Sequence, residues 1–381
     1  MKIGIVRGVV PRVTQAEYAR QFSRFTPVFI SGPADRQVAR FCARSGLDWR
    51  ALPLKPVYGV DPVRWILRRQ THQSWVHLQD LASACRNIDV LETHELYFFD
   101  SSQAAAVARA KKIPLVVEVW TSLDHHPAYF LPPYSWQVRF ILKAANLLVA
   151  RSRRSEQALQ KLGVPSDRLI QLYYGVNLER FTPRRERSDK ELRVLFVGRM
   201  ERFKGVAWLL EIWQRVVAAV PEARLWLVGE GNLLETARLV KGIRILGKFS
   251  HHQLPEIYRQ VDIFVSPSID LYWGPIKWTE EFFSHALMEA QASGLPIVAS
   301  NSGGIAEEIG MFELLPKDKQ NWLVEQKNDH QLIKALIEAL KDEKRRRLVG
   351  KENRQRAERQ YNLKRQVSRL ETEIDRRFFN A

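Results

Sequence analysis

The sequence predicts an α/β protein with two domains, each built on a parallel β-sheet. Short apolar runs alternate with helical patterns along most of the 381 residues, as expected for strands joined by crossover helices. A polar, charged stretch at residues 182–191 (TPRRERSDKE) separates the two halves and is typical of a linker. The length of the chain also favours two or three domains.

The strand candidates are apolar runs bounded by turn residues or by helical patterns. In the first half they are Ile3–Val6, Pro27–Ile30, Val90–Leu91, Leu115–Val119 and Leu147–Val149. In the second half they are Val194–Val197, Leu225–Val228, Ile243–Leu246, Ile263–Ser266 and Pro296–Ala299. The tail from Asn353 to Phe379 is predicted to form one helix, charged on one face.

Composition excludes several classes of protein. Cys42 and Cys85 are the only cysteines, which gives neither a disulfide framework nor metal-ligand spacing. No apolar run approaches the roughly 20 residues of a membrane span. The opening MKIGIVRG is too briefly apolar for a signal peptide and predicts a first strand. We therefore expect a cytoplasmic protein.

The segment EFFSHALMEAQASGLPIV contains two carboxylates eight positions apart, Glu281 and Glu289. Ser284 is a candidate N-cap, residues 285–293 read as a helix, and Gly294 is placed to end it. A helix N-terminus offers unpaired N–H groups and partial positive charge to a phosphate. Taken alone, two glutamates near a helix are more often solvated surface.

The segment LRVLFVGRMERFKGV, about eighty residues upstream, strengthens the functional interpretation. Leu192–Val197 reads as a buried strand, Gly198 opens the turn after it, and Gly205 leads into an apolar helix pattern. Arg199 and Lys204 lie in that turn. Cations between a strand and the next helix lie at the carboxyl edge of a parallel sheet, where α/β proteins bind ligands. The alternative is a solvated basic loop.

Together these pieces resemble the retaining GT-B glycosyltransferases of family 4 (glycosyl transferases group 1). The matching segments are Gly198–Gly205, Glu281–Glu289, Gly294–Ser300 and Gly303–Glu307. Two weaker pieces agree with them: residues 225–231 resemble a glycine turn after a strand, and residues 245–268 resemble the segment that frames the nucleotide base. The resemblance covers nearly all of the second half and thins out in the first.

The resemblance implies a GT-B architecture, with two Rossmann-like domains facing each other across a cleft. It assigns residues 1–181 to an acceptor-binding domain, 182–191 to the linker and 192–360 to the nucleotide-sugar domain, with a helix at 361–381 crossing back. It implies transfer of a sugar from a nucleoside diphosphate sugar to a glycan or lipid-linked acceptor with retention. No cofactor or metal is expected.

The resemblance also assigns roles to residues. The catalytic candidates are Arg199, Lys204 and Glu281. Those for donor binding are Gly8, Gly198, Ser284, His285, Ala286, Leu287 and Glu289.

The family pattern is weaker in the first half. One glycine, Gly8, stands where relatives often have two, and Arg7 beside it could add a cation or face solvent. Trp120 stands where relatives often have a histidine near the reacting sugar. The acceptor-side candidates are His94, Trp120, Asp124 and His125. A histidine pair in a loop is more often surface or a local cap.

Two departures bear on the donor. Phe282 and Ser284 stand where relatives usually have glycine, and the long loop Ile269–Glu280 precedes Glu281. That loop carries two tryptophans, which could shape a sugar pocket or pack on the surface.

The excess of positive charge lies in the first half. Residues 1–185 carry a net +13 and residues 186–381 only +4. Val63–Trp75 and Tyr129–Lys143 mix basic and aromatic residues, a pattern that favours an anionic membrane surface, here the inner face of the membrane. A solvated basic surface with core aromatics is the alternative. No nucleic-acid-binding signature accompanies the high pI, so no nucleic-acid partner is expected.

Two other functions remain open to the sequence alone. One is a catalytically silent module that binds a sugar nucleotide. The other is a GT-B-fold sugar-nucleotide epimerase. The intact set of Arg199, Lys204, Glu281 and Glu289 argues against the silent module. The E-x₇-E pattern favours transfer over epimerisation.

Overall fold

The structure is a computed structural model that describes residues 1–8, 10–56, 76–183 and 191–380. The chain forms two compact units, and each is treated by itself. The first unit comprises Met1–Tyr173 with Lys364–Ala381, and the second comprises Tyr174–Leu363. Each unit contains a parallel sheet flanked by helices, which confirms the predicted α/β class and the two Rossmann-like domains.

The first unit is built on a seven-stranded parallel sheet in the order β3-β2-β1-β6-β7-β8-β9. Its strands are β1 (Lys2–Val6), β2 (Thr26–Ser31), β3 (Asp48–Ala51), β6 (Val90–His94), β7 (Leu115–Val119), β8 (Leu147–Ala150) and β9 (Leu169–Gln171). A separate antiparallel pair is formed by β4 (Leu54–Pro56) and β5 (Val76–Leu78). Its helices are α1 (Val13–Ala19), α2 (Arg36–Ser45), α3 (Leu81–Ala84), α4 (Phe99–Lys111), α5 (Pro127–Phe130), α6 (Tyr134–Ala144), α7 (Arg153–Lys161) and α15 (Leu363–Phe378).

The second unit is built on a six-stranded parallel sheet in the order β12-β11-β10-β13-β16-β17. Its strands are β10 (Leu192–Val197), β11 (Ala223–Val228), β12 (Ile243–Gly247), β13 (Ile263–Ser266), β16 (Ile297–Ser300) and β17 (Trp322–Val324). A hairpin adds β14 (Leu271–Trp273) and β15 (Ile276–Thr279). Its helices are α8 (Val206–Ala219), α9 (Leu234–Arg238), α10 (Leu254–Arg259), α11 (His285–Ala292), α12 (Ile305–Glu308), α13 (Asp329–Lys341) and α14 (Glu343–Gln360).

Burial explains why the strands were readable from the sequence. The central strands β7 and β8 are buried at every position, because helices cover both faces of the sheet. Such strands are mostly apolar, although Glu118 interrupts β7, and each of the ten predicted runs lies within or overlaps an observed strand.

The boundaries between units differ from the prediction. The division falls after Tyr173 rather than after residue 181, because 174–181 bonds to the second unit. The Val176 N–H donates to the carbonyl of Tyr361 at 2.8 Å, and Arg180 Nη2 donates to the carbonyl of His251 at 2.8 Å. The predicted linker at 182–191 lies mostly outside the described residues.

The tail is two helices rather than one. Helix α14 ends at Gln360 and α15 begins at Leu363, with Asn362 paired to Val176 between them. That pairing interrupts the helix, and the chain rejoins the first unit at Lys364 rather than at 361. Glu371 of α15 accepts backbone N–H bonds from Ser23 and Arg24 there. None of the helices that the structure describes is long and apolar enough to cross a membrane.

Candidate functional site

The turn after β10 carries the two predicted cations of the second unit. It closes at Gly205, whose φ is +69° and whose Cβ, if it had one, would lie 1.7 Å from the carbonyl oxygen of Pro267. Only glycine fits this close approach at positive φ. The turn therefore lies directly against the segment after β13, and Lys204 is brought beside it.

Lys204 and Glu281 form an ion pair, with Nζ 2.5 Å from Oε2. The hydroxyl of Ser268 donates to the same carboxylate oxygen at 2.9 Å. The Lys204 side chain is 18% exposed and that of Glu281 8% exposed. Two residues that lie 77 positions apart are thus joined in a pair that solvent still reaches.

Arg199 lies near Lys204 but is more open. Its guanidinium pairs with Glu201 at 2.8 Å, and the side chain is 59% exposed. Arg199 Cζ lies 5.5 Å, and Lys204 Nζ 5.0 Å, from the centroid of the Phe203 ring. Both cations therefore lie against one aromatic ring. The ion pair of Arg199 with Glu201 is at the surface and is therefore weak.

The backbone at Glu281 is held by the segment after β16. The Glu281 N–H donates to Ser302 Oγ at 3.3 Å, and the Gly304 N–H donates to the Glu281 carbonyl at 2.8 Å. A Cβ on Gly303, which has φ +51°, would lie 2.1 Å from that carbonyl oxygen. The two glycines of the G-G-I-x-E segment therefore let this backbone pack against Glu281.

Helix α11 begins at His285 and ends at Ala292, one residue before the predicted end. Ser284 occupies the N-cap position, but its side chain makes no capping bond. Its N–H instead donates to Glu308 Oε2 at 2.9 Å. Burial raises the pKa of Glu308 well above its ordinary value, and the nearby Glu281 carboxylate adds to the rise. The ring of His285 packs edge-on against Tyr174 at 4.7 Å.

Glu289 is held by two residues that the sequence analysis did not single out. His251 Nε2 lies 2.9 Å from Oε1, and the Tyr258 hydroxyl donates to Oε2 at 2.9 Å. Burial and the Glu289 carboxylate raise the pKa of Tyr258, so that its hydroxyl stays a donor. Both residues lie in the 245–268 segment that resembles the family's base-framing region, which was the only signal for them.

In the first unit, Gly8 lies at the end of β1, where its N–H donates to Asp100 Oδ2 at 3.0 Å. Arg7 beside it does not face solvent. It pairs with Glu92 at 2.5 Å and with Glu118 at 3.2 Å, with all three side chains fully buried. Arg151 pairs with Glu118 from the other side. Sequence reasoning missed this cluster, because its carboxylates stand inside apolar strands.

The four acceptor-side candidates fall into two groups. His94 is buried and stacks on Trp120 at 5.3 Å between ring centroids. Burial, with Arg7 nearby, lowers the pKa of His94 to about 3, so the ring is neutral. Asp124 and His125 instead pair with each other at 2.6 Å, and Asp124 also pairs with Lys161. Of the two adjacent histidines, His125 is 53% exposed, whereas His126 is buried and its Nδ1 accepts from the Ala128 N–H at the start of α5. The surface alternative therefore applies to His125 and the local-cap alternative to His126.

Comparison with known proteins identifies the family. Residues 179–356 match the family described as "Glycosyl transferases group 1", and residues 32–180 match "Glycosyltransferase Family 4". The chain belongs to the group 1 glycosyltransferases. Within the described ranges, no group of three or more His, Cys, Asp and Glu side chains is arranged to hold a metal ion.

Individual relatives of this group 1 glycosyltransferase are distant. The sulfoquinovosyl transferase SQD2 of Arabidopsis thaliana is 28% identical over 281 residues, which cover 67% of this chain and 50% of that protein. A glycogen synthase of Mycobacterium tuberculosis is 25% identical over 236 residues, which cover 58% and 54%. The chain thus spans about half the length of these relatives.

Solved structures share the fold. Anabaena Alr3699/HepE in complex with UDP-glucose has a TM-score of 0.70 at 15% identity, covering 98% of this chain and 100% of that one. A glycosyltransferase from Rickettsia africae has a TM-score of 0.73 at 17% identity, with both chains fully covered. At such identities the likeness establishes the fold alone.

Proposed function

We propose that this group 1 glycosyltransferase moves a sugar from a nucleoside diphosphate sugar to a hydroxyl of a glycan or lipid-linked acceptor, with retention of configuration. The observation that carries the proposal is the Lys204–Glu281 pair at the carboxyl edge of the second sheet. Glu289, held by His251 and Tyr258, lies eight residues further along the chain, inside α11. A cation and two separately oriented carboxylates are what a charged, polyhydroxylated donor requires.

The cations act on the leaving group. Negative charge grows on the diphosphate as the glycosidic bond breaks, and Lys204, Arg199 and the first N–H groups of α11 are the candidates to stabilise it. Lys204 is held in place before the donor arrives, because Glu281 fixes it at 2.5 Å. These groups supply positive charge without a metal ion, so we propose a metal-independent reaction.

The two carboxylates bind hydroxyls. Glu281 keeps a second carboxylate oxygen beyond the one that Lys204 and Ser268 contact, and that oxygen can accept a hydrogen bond from the transferred sugar. Glu289 accepts from the ribose hydroxyls. In the retaining reaction we propose, the acceptor oxygen forms the new bond to the anomeric carbon and a donor phosphate oxygen takes the acceptor's proton. His94 and Trp120 remain predictions for acceptor contact.

The choice of donor follows from the relatives. Alr3699/HepE is a structure with UDP-glucose, and the Arabidopsis relative is a sulfoquinovosyl transferase. UDP-sugars are therefore the first donors to test, followed by GDP- and ADP-sugars. A ligand that binds the folded protein raises its melting temperature by mass action. We expect one nucleotide class to raise it and the other two to leave it unchanged.

The decisive experiment measures turnover of the stabilising donor with and without a panel of glycan and lipid-linked acceptors. Acceptor-dependent release of the nucleoside diphosphate supports transfer. Binding without turnover would identify a silent module, and a change in the donor sugar without an acceptor would identify an epimerase. We expect EDTA to leave turnover unchanged. Loss of activity in EDTA that Mg²⁺ or Mn²⁺ restores would contradict the metal-independent reaction.

We also propose that the first unit docks on an anionic membrane surface. Phe130, Leu131 and Trp136 are 60%, 48% and 61% exposed along α5 and α6, with exposed Arg139 and Lys143 on α6. Aromatic rings at headgroup level beside basic residues favour such a surface. The other predicted docking segment, Val63–Trp75 with Trp65, Arg68 and Arg69, lies outside the described residues.

Cosedimentation with vesicles tests the docking. Binding to vesicles with anionic lipid should exceed binding to neutral vesicles and weaken with salt, because screening shortens the range of the attraction. Trp136→Ala should reduce binding, whereas Leu239→Ala, at an 88% exposed position of the second unit, should not. Equal binding to both kinds of vesicle would defeat the membrane proposal.

A further inference from the structure

The segment between Ser268 and Glu281 forms a β-hairpin in the second unit. Strands β14 and β15 pair antiparallel, and Gly274 and Pro275 make the two-residue turn between them. Gly274 has φ +56°, which suits glycine at the first central position of such a turn. This hairpin lies in the loop Ile269–Glu280, for which the sequence allows either shaping of a sugar pocket or packing on the surface.

The outer part of the hairpin exposes apolar side chains. Tyr272, Trp273 and Ile276 are 57%, 69% and 48% exposed. Trp273 and Ile276 are cross-strand partners and therefore share one face of the hairpin. An exposed tryptophan at the end of a short hairpin offers a flat apolar surface to a ligand.

The inner part of the hairpin is tied to the candidate site. Lys277 Nζ lies 2.6 Å from Asp270 and 3.1 Å from Glu280, both buried. Asp270 Oδ1 accepts from the Ser302 hydroxyl at 2.6 Å, and Ser302 Oγ accepts from the Glu281 N–H at 3.3 Å. Because these bonds form a continuous chain, the hairpin and the backbone of Glu281 keep a fixed relation.

Charge and size decide between kinds of partner. The segment 269–280 carries two carboxylates and one lysine, so it lacks the basic excess that attracts an anionic membrane. Three exposed apolar side chains are also far fewer than the roughly 20–30 residues a side of a stable protein interface. A pyranose ring fits the hairpin better than a membrane or a protein does. Its apolar C–H face can stack on the Trp273 indole, and its hydroxyls can donate hydrogen bonds to neighbouring oxygens.

We propose that the hairpin is a carbohydrate-binding subsite, in which Trp273 stacks on a sugar ring of the glycan substrate. The hydrogen bonds through Asp270 and Ser302 fix the position of the hairpin, and therefore of the bound ring, relative to the backbone of Glu281. The subsite extends the recognition of carbohydrate beyond the sugar that is transferred. This assignment rests on the proposed glycosyltransferase function.

Calorimetric titration of the full chain with two neutral tetrasaccharides, maltotetraose and cellotetraose, tests the subsite. We expect the wild type to bind at least one of them, and Trp273→Ala to weaken that binding about tenfold through loss of the stacked ring. Trp273→Phe, which keeps an aromatic face, should restore most of the affinity. Phe312→Ala is the matched control, because Phe312 is 70% exposed in the same unit but outside the hairpin.

A parallel titration with UDP separates this proposal from the proposed function. We expect all variants to bind UDP as the wild type does. UDP binding without binding of either tetrasaccharide, or equal tetrasaccharide affinity in the wild type and Trp273→Ala, would overturn the subsite alone. Binding to anionic vesicles that Trp273→Ala abolishes would assign the hairpin to a membrane and also overturn it. Absence of UDP binding by the wild type would count against the proposed function itself.

Discussion

The two units place charged side chains at the carboxyl ends of their parallel strands but enclose them differently. In the first unit, Arg7 and Arg151 pair with Glu92 and Glu118, and all four side chains are at most 1% exposed. In the second unit the Lys204–Glu281 pair keeps 18% and 8% exposure. The four side chains of the first unit contact one another and are shielded from solvent, and we call them the closed cluster. The Lys204–Glu281 pair, which we call the open pair, is still reached by solvent and can therefore be reached by a ligand.

A position at the edge of a sheet does not by itself make a binding site. Removing a charge from water is costly, so a fully buried group must be neutralised by its neighbours. Burial and the Glu118 carboxylate raise the pKa of Glu92 to about 8, which leaves it protonated at neutral pH. Burial also acts to raise the pKa of Glu118, but Arg151 and Arg7 outweigh it and keep that carboxyl ionised. The polar groups of the closed cluster are therefore occupied by one another, and the open pair is the one that a substrate can reach.

The largest expected effect comes from breaking the closed cluster. Glu118→Gln leaves two buried guanidiniums without the carboxylate that both contact. Breaking a buried pair by removing one partner costs about 3–5 kcal/mol. We expect the free energy of unfolding, measured by urea denaturation at pH 7, to fall by that amount.

Glu92→Gln is the matched control for Glu118→Gln. The amide reproduces the neutral, protonated Glu92, since it can accept from Arg7 and donate to Glu118. At about pH 4, where Glu92 is largely protonated in the folded and the unfolded chain alike and where Glu118→Gln is measured as well, we expect a loss below about 1 kcal/mol, as for a hydrogen bond that is kept. Equal losses in the two variants would show that both carboxyls are ionised.

The next largest effect comes from the open pair. Lys204→Ala and Glu281→Gln should each lower turnover about 10²–10³-fold, by analogy with removal of one donor that stabilises transition-state charge. Lys204 is 18% exposed, and Glu281→Gln keeps the shape and one oxygen of the buried Glu281 side chain, so the melting temperature should change little. Steady-state kinetics with the stabilising donor would measure the loss.

An exposed ion pair of the same type serves as the control. Arg347 and Glu343 lie 2.7 Å apart in the second unit, outside the segments that resemble the family, with side chains 73% and 60% exposed. Arg347→Ala and Glu343→Gln should leave turnover unchanged. Near-normal turnover in Lys204→Ala would remove that residue from the site.

The pH dependence of stability tests the raised pKa of Glu92 by a second route. A carboxyl whose pKa is raised in the folded state keeps a proton that the unfolded chain has released. Its contribution to stability is therefore complete below the unfolded pKa of 4.5 and is lost as pH rises to about 8. We expect the wild type to lose stability relative to Glu92→Gln between about pH 5 and pH 8, by up to about 1.4 kcal/mol per pH unit. Parallel curves for the two proteins would contradict the raised pKa.

The fold was predictable because its strands are continuous apolar runs. Val194–Val197 and Leu147–Val149 are apolar at every position, so the apolar pattern alone placed them. The boundary after Tyr173 was not predictable, because it depends on pairing between Val176 and the distant Asn362. The composition of the sequence instead predicted the division between the two domains at the charged stretch 182–191.

The site was predictable only in part. Lys204, Glu281 and Glu289 were found because their spacing within short segments is regular. Ser302, which accepts the Glu281 N–H, and Tyr258, which holds Glu289, are single polar residues from other elements. Their local sequence does not predict these contacts, because the bonded residues are distant along the chain and only the fold brings them together.

The smallest expected effect tests whether the open pair depends on its support. The hydroxyl oxygen of Ser302 accepts a hydrogen bond from the Glu281 N–H, and the same hydroxyl donates to Asp270. Ser302 is therefore a positioning residue for Glu281. Ser302→Ala removes both hydrogen bonds, and loosening Glu281 should lower kcat about fivefold to tenfold, the equivalent of about one net hydrogen bond. The Kd for UDP, measured by calorimetry, should stay constant, because the diphosphate candidates Lys204 and Arg199 are not contacted by Ser302. Ser302→Thr keeps the hydroxyl and should recover most of the loss. An unchanged kcat in Ser302→Ala would mean that Glu281 is held sufficiently by Lys204, Ser268 and Gly304.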